Sequence, residues 1–153
     1  MKRWIAMAVA GWLLPAAAGA ATHLVRPDGS GDFPAIQAAI DAAAPGDSVL
    51  LAPGVFRGPG NVDLDFGGKA LTVCSQSGDP RDSIIDCEGA ARGFNFASGE
   101  GRGAVVADLT LTQGAGEPGG AVRCWRGSGP TLRNCIFASN ASPLFGGAVC
   151  CVL

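Results

Sequence analysis

An all-β chain wound as a right-handed parallel β-helix, a solenoid of about five coils with a short N-terminal capping helix, is the fold these 153 residues predict. Two observations predict it. Strand-like runs of a few residues keep returning between Gly, Pro, Asn, Asp and Ser, and a second, longer period of about 27 residues relates them. Gly-Gly-Ala-Val marks that period, at positions 119–122 and again at 146–149, and Cys124 and Cys151 keep the same spacing. A third observation, an amphipathic segment ahead of the first coil, supplies the cap that a solenoid needs over its open apolar end.

The elements follow in chain order. Lys2 and Arg3 precede an apolar run from Trp4 to Leu14, and small residues lead to Ala18-Gly19-Ala20. Residues 1–20 therefore read as a secretory signal peptide cut after Ala20. The apolar run is too short for a bilayer, so no transmembrane segment is expected in the mature chain. Residues 21–47 form an N-terminal strand and the capping helix. From Ile36, apolar residues fall at i, i+3, i+4 and i+7, with Pro34 in the first turn and Pro45-Gly46 as the stop, giving about ten helical residues.

Residues 48–153 make the coils, with strands expected at 48–52, 70–74, 83–87, 93–97, 105–111, 121–125, 131–137 and 148–152. One series runs Leu71, Phe94, Ala121, Ala148 and a second runs Ile84, Leu109 and Ile136 or Cys135, so each coil carries at least two strands. Alternation points Val122, Cys124, Val149 and Cys151 inward and Arg123 and Cys150 outward. The paired glycines sit where a coil turns a corner and backbones approach closely. The last coil stops in phase with its apolar layer uncovered. That pattern predicts a piece of a longer repeat protein, or an end covered by another chain or by self-association through the uncapped C-terminal coil.

Composition excludes several functions. Without residues 1–20 the chain holds nine Lys and Arg against thirteen Asp and Glu, so nucleic acid is not an expected partner. The six cysteines include no C-x-x-C pair, and the single histidine, His23, falls at the frayed start of the mature chain, so no zinc site is expected. His23 and Lys69 are the only candidate bases for a Ser or Cys nucleophile, which argues against a hydrolytic triad.

The stretch Val25-Arg-Pro-Asp-Gly-Ser-Gly-Asp-Phe33-Pro-Ala-Ile36, continuing to Gly46-Asp47, resembles the opening of pectin-lyase-like β-helix proteins, above all pectin methylesterases. Leu71-Thr-Val-Cys-Ser75, Ile84-Ile-Asp-Cys-Glu-Gly89 and Leu109-Thr-Leu-Thr-Gln-Gly114 resemble secreted right-handed β-helix repeat proteins. Gly-Gly-Ala-Val with Phe137-Ala-Ser-Asn140 is similar to the GGA(I/L/V) and FxxN repeats of polymorphic outer membrane proteins. The resemblance implies a secreted, periplasmic or cell-surface β-helix. The catalytic aspartate motifs of the esterases and the calcium aspartates and basic residue of pectate lyases have no counterpart, Asp63-Leu-Asp65-Phe-Gly67 being a partial echo.

Five candidate features remain. Asp63 and Asp65 alternate on one strand face as a carboxylate pair, either ligands for calcium or an acid/base pair if burial splits their pKa values; no other cofactor is implied. Asp86 and Glu88 read as a solvated turn. Cys124 and Cys151, one coil apart, lie within reach of a disulfide and equally form a reduced ladder of small apolar side chains. The vicinal Cys150 and Cys151 read as one outward and one inward residue. Trp125 and Arg126 stand outside a strand, where an aromatic ring beside a guanidinium would contact a sugar. The expected function is a secreted non-catalytic β-helix domain presenting a surface for cell-surface attachment or polysaccharide binding. The alternative is the N-terminal part of a polysaccharide lyase or pectin-esterase-like enzyme whose catalytic coils lie beyond Leu153.

Overall fold

The structure is a computed structural model that describes residues 19–152, so the signal-peptide expectation lies outside the described residues except for Gly19 and Ala20. Twelve strands and one helix follow in the order β1 (Thr22–Val25), α1 (Ile36–Ala42), β2 (Ser48–Leu51), β3 (Gly54–Phe56), β4 (Thr72–Ser75), β5 (Ser83–Asp86), β6 (Phe94–Phe96), β7 (Val105–Ala107), β8 (Thr110–Thr112), β9 (Val122–Cys124), β10 (Thr131–Arg133), β11 (Ile136–Ala138) and β12 (Val149–Cys151). They form three sheets, β1-β2-β4-β7-β10, β3-β5-β8-β11 and β6-β9-β12, and every pairing within them is parallel. The chain visits the three sheets in rotation, so it is a parallel β-solenoid of about five turns.

The last three coils thus carry three strands each, and the first of the two sequence series needs correction. Leu71 borders the first sheet and Phe94 the third, so they do not stack; Phe94 pairs with Val122 and with Leu64. The run 105–111 is two strands, because Asp108 at φ 57 turns a corner between β7 and β8. Asn134 at φ 48 does the same for 131–137 and donates its Nδ2 to Asp108 Oδ1 at 2.8 Å. Asn and Asp tolerate the left-handed region better than most residues, and here they stack corner upon corner. Strand β3 was not anticipated, since Gly54-Val-Phe56 follows Pro53 and shows no alternation long enough to read.

Side chains of equal parity build the interior rung by rung. Val49, Val73, Val106 and Leu132 are successive partners in the first sheet, and Phe56, Ile85, Leu111 and Phe137 in the second. At the third sheet Phe66, Phe94 and Phe96 are fully buried, with Phe66 edge-on to the other two at 6.1 and 5.1 Å. A parallel sheet hides its inward face from water only when another rung lies above it, which is why single coils do not stand alone.

Helix α1 spans seven residues rather than ten, and buries Ile36, Ala39 and Ile40 against β1 and β2. Pro34 lies before the N-cap Ala35, not in the first turn. Both ends are capped from later coils. Asn61 Oδ1 accepts the Ile36 amide at 3.0 Å, and Lys69 Nζ donates to the carbonyls of Ile40, Asp41 and Ala43 at 2.5 to 3.1 Å. Those are orphan groups of a helix end, and a cation at the C-terminus also suits the helix dipole. No helix among the described residues is long and apolar enough to cross a membrane.

Candidate functional site

Asp63 and Asp65 flank the buried Leu64, but a turn holds them instead of a strand, with only the single bridge from Leu64 to Phe94. Asp63 has φ 51 and accepts the Arg92 amide at 3.3 Å, with Arg92 Nε 3.6 Å away. Asp65 Oδ1 accepts the Gly67 amide at 2.8 Å, and its backbone is held by Gln37 through bonds of 2.9 and 3.0 Å. Asp65 lines a shallow cavity of about 260 Å³ with Gln37, Asp41 and Lys69. Among the described residues no group of three or more His, Cys, Asp or Glu side chains converges to hold a metal.

Asp86 and Asp47 are braces. Asp86 is buried, not solvated, and its Oδ2 accepts Arg57 Nε at 2.9 Å and Arg57 Nη2 at 2.8 Å; Glu88 beside it is exposed at φ 54. His23 belongs to β1 and lies 3.2 Å from Asp47 Oδ2, edge-on to Phe33 at 5.4 Å, so the chain is ordered there and not frayed. Asp47 also accepts the amides of Ala21 and Ala44 at 2.7 and 2.8 Å. The Ala21 amide first, then Ala44 and His23, hold its carboxyl below the ordinary value.

Glu100 is 1% exposed and was not foreseen as a structural residue. It accepts from the amides of Gly68 and Ser98 and from the Ser128 hydroxyl, each at 2.9 Å, joining residues from three successive coils. Burial pushes its carboxyl up, but the hydrogen bonds together outweigh burial and hold it below the ordinary value.

All six cysteines are free thiols. Cys124 and Cys151 are register partners, and Cys150 pairs with Arg123, as the 27-residue period requires. Burial reverses the expected order in the last described rung: Cys150 is buried and Cys151 exposed. Cys150 tucks its Cβ against Gly119 and Gly146, while no further rung covers Cys151 among the described residues. Burial, then the neighbouring Cys151 thiol, pushes Cys124 up to about 12, and burial with Asp63 and Asp86 does the same for Cys87.

One pair of side chains remains with open chemistry. Trp125, just past β9, is 39% exposed, and its amide is fixed to the Phe96 carbonyl at 2.8 Å. The guanidinium beside it belongs to Arg123, whose Cζ lies 5.9 Å from the ring centroid. Arg126 occupies a tight turn at φ 53 and is not the stacking partner expected of it. Arg123 Nε donates to Asn95 Oδ1 at 2.9 Å, one coil below, so the guanidinium is set in place by a register partner. Period-2 alternation was the available signal: Arg123 and Trp125 share a face, whereas Arg126 has the opposite parity. A guanidinium held over an indole offers outward N–H donors next to an apolar ring surface, the two features a sugar's hydroxyls and C–H face require. No family model, curated protein or solved structure matches the chain.

Proposed function

We propose that the chain is an exported, non-catalytic right-handed β-helix repeat protein of the pectin-lyase-like kind, whose outer face attaches to polysaccharide or another cell-surface component. Several features support the kinship. Asn140 of the FxxN stretch accepts the Gly114 amide at 2.7 Å and donates to the Leu111 carbonyl at 2.9 Å, a bridge between coils that explains an Asn at that place. Gly120 stands at a corner where the backbone of the next rung comes close, a Cβ there falling 2.1 Å from the Gly147 carbonyl oxygen. A right-handed sense agrees with the strong general preference of parallel crossovers.

The observation that carries the attachment reading is the Arg123–Trp125 pair, its ring exposed and its half-buried guanidinium pre-oriented by Asn95. The absence of a catalytic role rests on the carboxylates. Asp47, Asp86 and Glu100 are each tied to two or more donors, so none is free to trade protons with a substrate. A polysaccharide pull-down with the exported protein tests the reading. Retention by at least one polysaccharide, weakened roughly five- to tenfold by Trp125→Ala, is expected. No retention by any, or retention that Trp125→Ala and Arg123→Ala both leave unchanged, contradicts it.

A further inference from the structure

Among the described residues, Ala21 is the first to hydrogen-bond to the solenoid. Its carbonyl accepts the Ser48 amide at 2.8 Å, and its nitrogen donates to Asp47 Oδ1 at 2.7 Å. Gly19 and Ala20, just before it, are exposed, and a Cβ built at Gly19 would meet nothing within 4 Å. The sequence independently marks the bond between Ala20 and Ala21, through the Ala18-Gly19-Ala20 stretch behind an apolar run and two cations. Two unrelated lines, leader chemistry and the onset of packing, thus meet at one peptide bond.

We infer that hydrolysis of the Ala20–Ala21 bond completes the fold, because the nitrogen it frees becomes an α-ammonium seated on the Asp47 carboxylate. The inference rests on the export reading above. In the step, a leader peptidase of the export pathway adds water across the amide: the C–N bond breaks, oxygen goes to the Ala20 carbonyl carbon, and Ala21 keeps the nitrogen. At neutral pH the products are a carboxylate on Ala20 and an ammonium on Ala21. A bond charged only on its acceptor is thereby exchanged for an ion pair between the same two atoms, which adds a coulombic attraction of up to about 1 kcal/mol at a partly exposed site.

The surroundings suit a cation. Asp47 is 7% exposed and its other oxygen takes the Ala44 amide and His23 Nε2, so the carboxylate cannot swing away. His23 is the one other titratable side chain bonded to it among the described residues. Through Ser48 and Asp47 the new terminus would lock β1, the first rung, to β2 and to the end of α1. An uncleaved chain keeps an uncharged donor at that corner. Processing would therefore report on folding, with the finished rung fully latched only after export.

The test uses the full chain expressed with its own leader in a secreting bacterial host, the exported protein being sequenced from its N-terminus and then acetylated on its α-amine. Expected are an N-terminus at Ala21 and a thermal midpoint lowered by roughly 3–4 °C on acetylation. Asp47→Asn should lose nothing further when acetylated. An equal loss in both proteins overturns the latch, as does a terminus at any other residue. Should Asp47→Asn fail to fold, NMR titration of the exported wild type decides, an α-amine above its ordinary value of about 7.7–8.0 supporting the latch and one at or below it overturning it. A chain recovered with Met1 intact would sink the export reading as well, whereas cleavage elsewhere sinks the latch alone.

Discussion

Replacing Glu100 with Ala would leave the amides of Gly68 and Ser98 and the Ser128 hydroxyl without their acceptor in the interior. Stranding buried donors costs about 1–3 kcal/mol each where water cannot reach them, so a loss of roughly 3 kcal/mol in urea-unfolding free energy is expected; a change below 1 kcal/mol would mean the brace is dispensable. Thiol reactivity separates the cysteines in the same way. Cys87 and Cys124, held up near 12 and buried, should resist iodoacetamide in the native protein, while the exposed Cys151 reacts first, as peptide mass mapping would read. None of these roles could be read from the residues alone. Glu100 sits in a Ser-Gly-Glu-Gly-Arg loop that looks solvated, and Asp86 looks like a turn, because their partners come from other coils at separations of 28 to 32 residues.

The Gly-Gly pairs behave differently at the two places where they occur. A Cβ on Gly120 would stand 2.1 Å from the Gly147 carbonyl oxygen and 2.5 Å from that of Ala141, backbone atoms that cannot step aside. The equivalent atom on Gly147 meets only the Asn140 carbonyl at 3.4 Å, an ordinary contact. Gly120→Ala is therefore expected to lower the thermal midpoint sharply, and Gly147→Ala by little, although both residues occupy the same place in the same tetrapeptide. Equal effects would contradict the stacking of the two corners. At this scale the sequence was legible where alternation ran three residues or more, as in β2, β5 and β9. It was illegible where one left-handed residue splits a run, as at Asp108 and Asn134, since neither residue type announces its φ. The helix was legible from Ile36, Ala39 and Ile40 but overextended, because the caps that end it, Asn61 and Lys69, lie outside it.

Over the whole molecule, in-register stacking explains why one 27-residue echo, carried by β9 and β12 of the third sheet, sufficed to reveal the architecture: Phe94 to Val122 and Val122 to Val149 differ by one residue in spacing, and the corners absorb it. The first sheet stayed hidden because its strands run on into those of the second at Asp108 and Asn134. The candidate site was half legible, its Trp125 named and its cation misassigned by three positions. The braces also give the molecule a pH response. Asp47 and Glu100 titrate below the ordinary carboxylate value in the fold, and Asp79, paired first with the Arg81 guanidinium, titrates at about 2. An unfolded chain takes up these protons first, so their stabilisation is complete above about pH 5 and is lost as pH falls through the folded values. The thermal midpoint should hold steady down to about pH 5 and fall below about pH 4, and Glu100→Gln should flatten that fall. Everything else depends on side chains recurring once per rung. The most direct test is a set of NMR contacts across the first sheet: Val106 is predicted to lie between Val73 and Leu132, with parallel-strand contacts to both. Antiparallel contacts, or Val106 facing residues other than these two, would contradict the solenoid and the function argued from it.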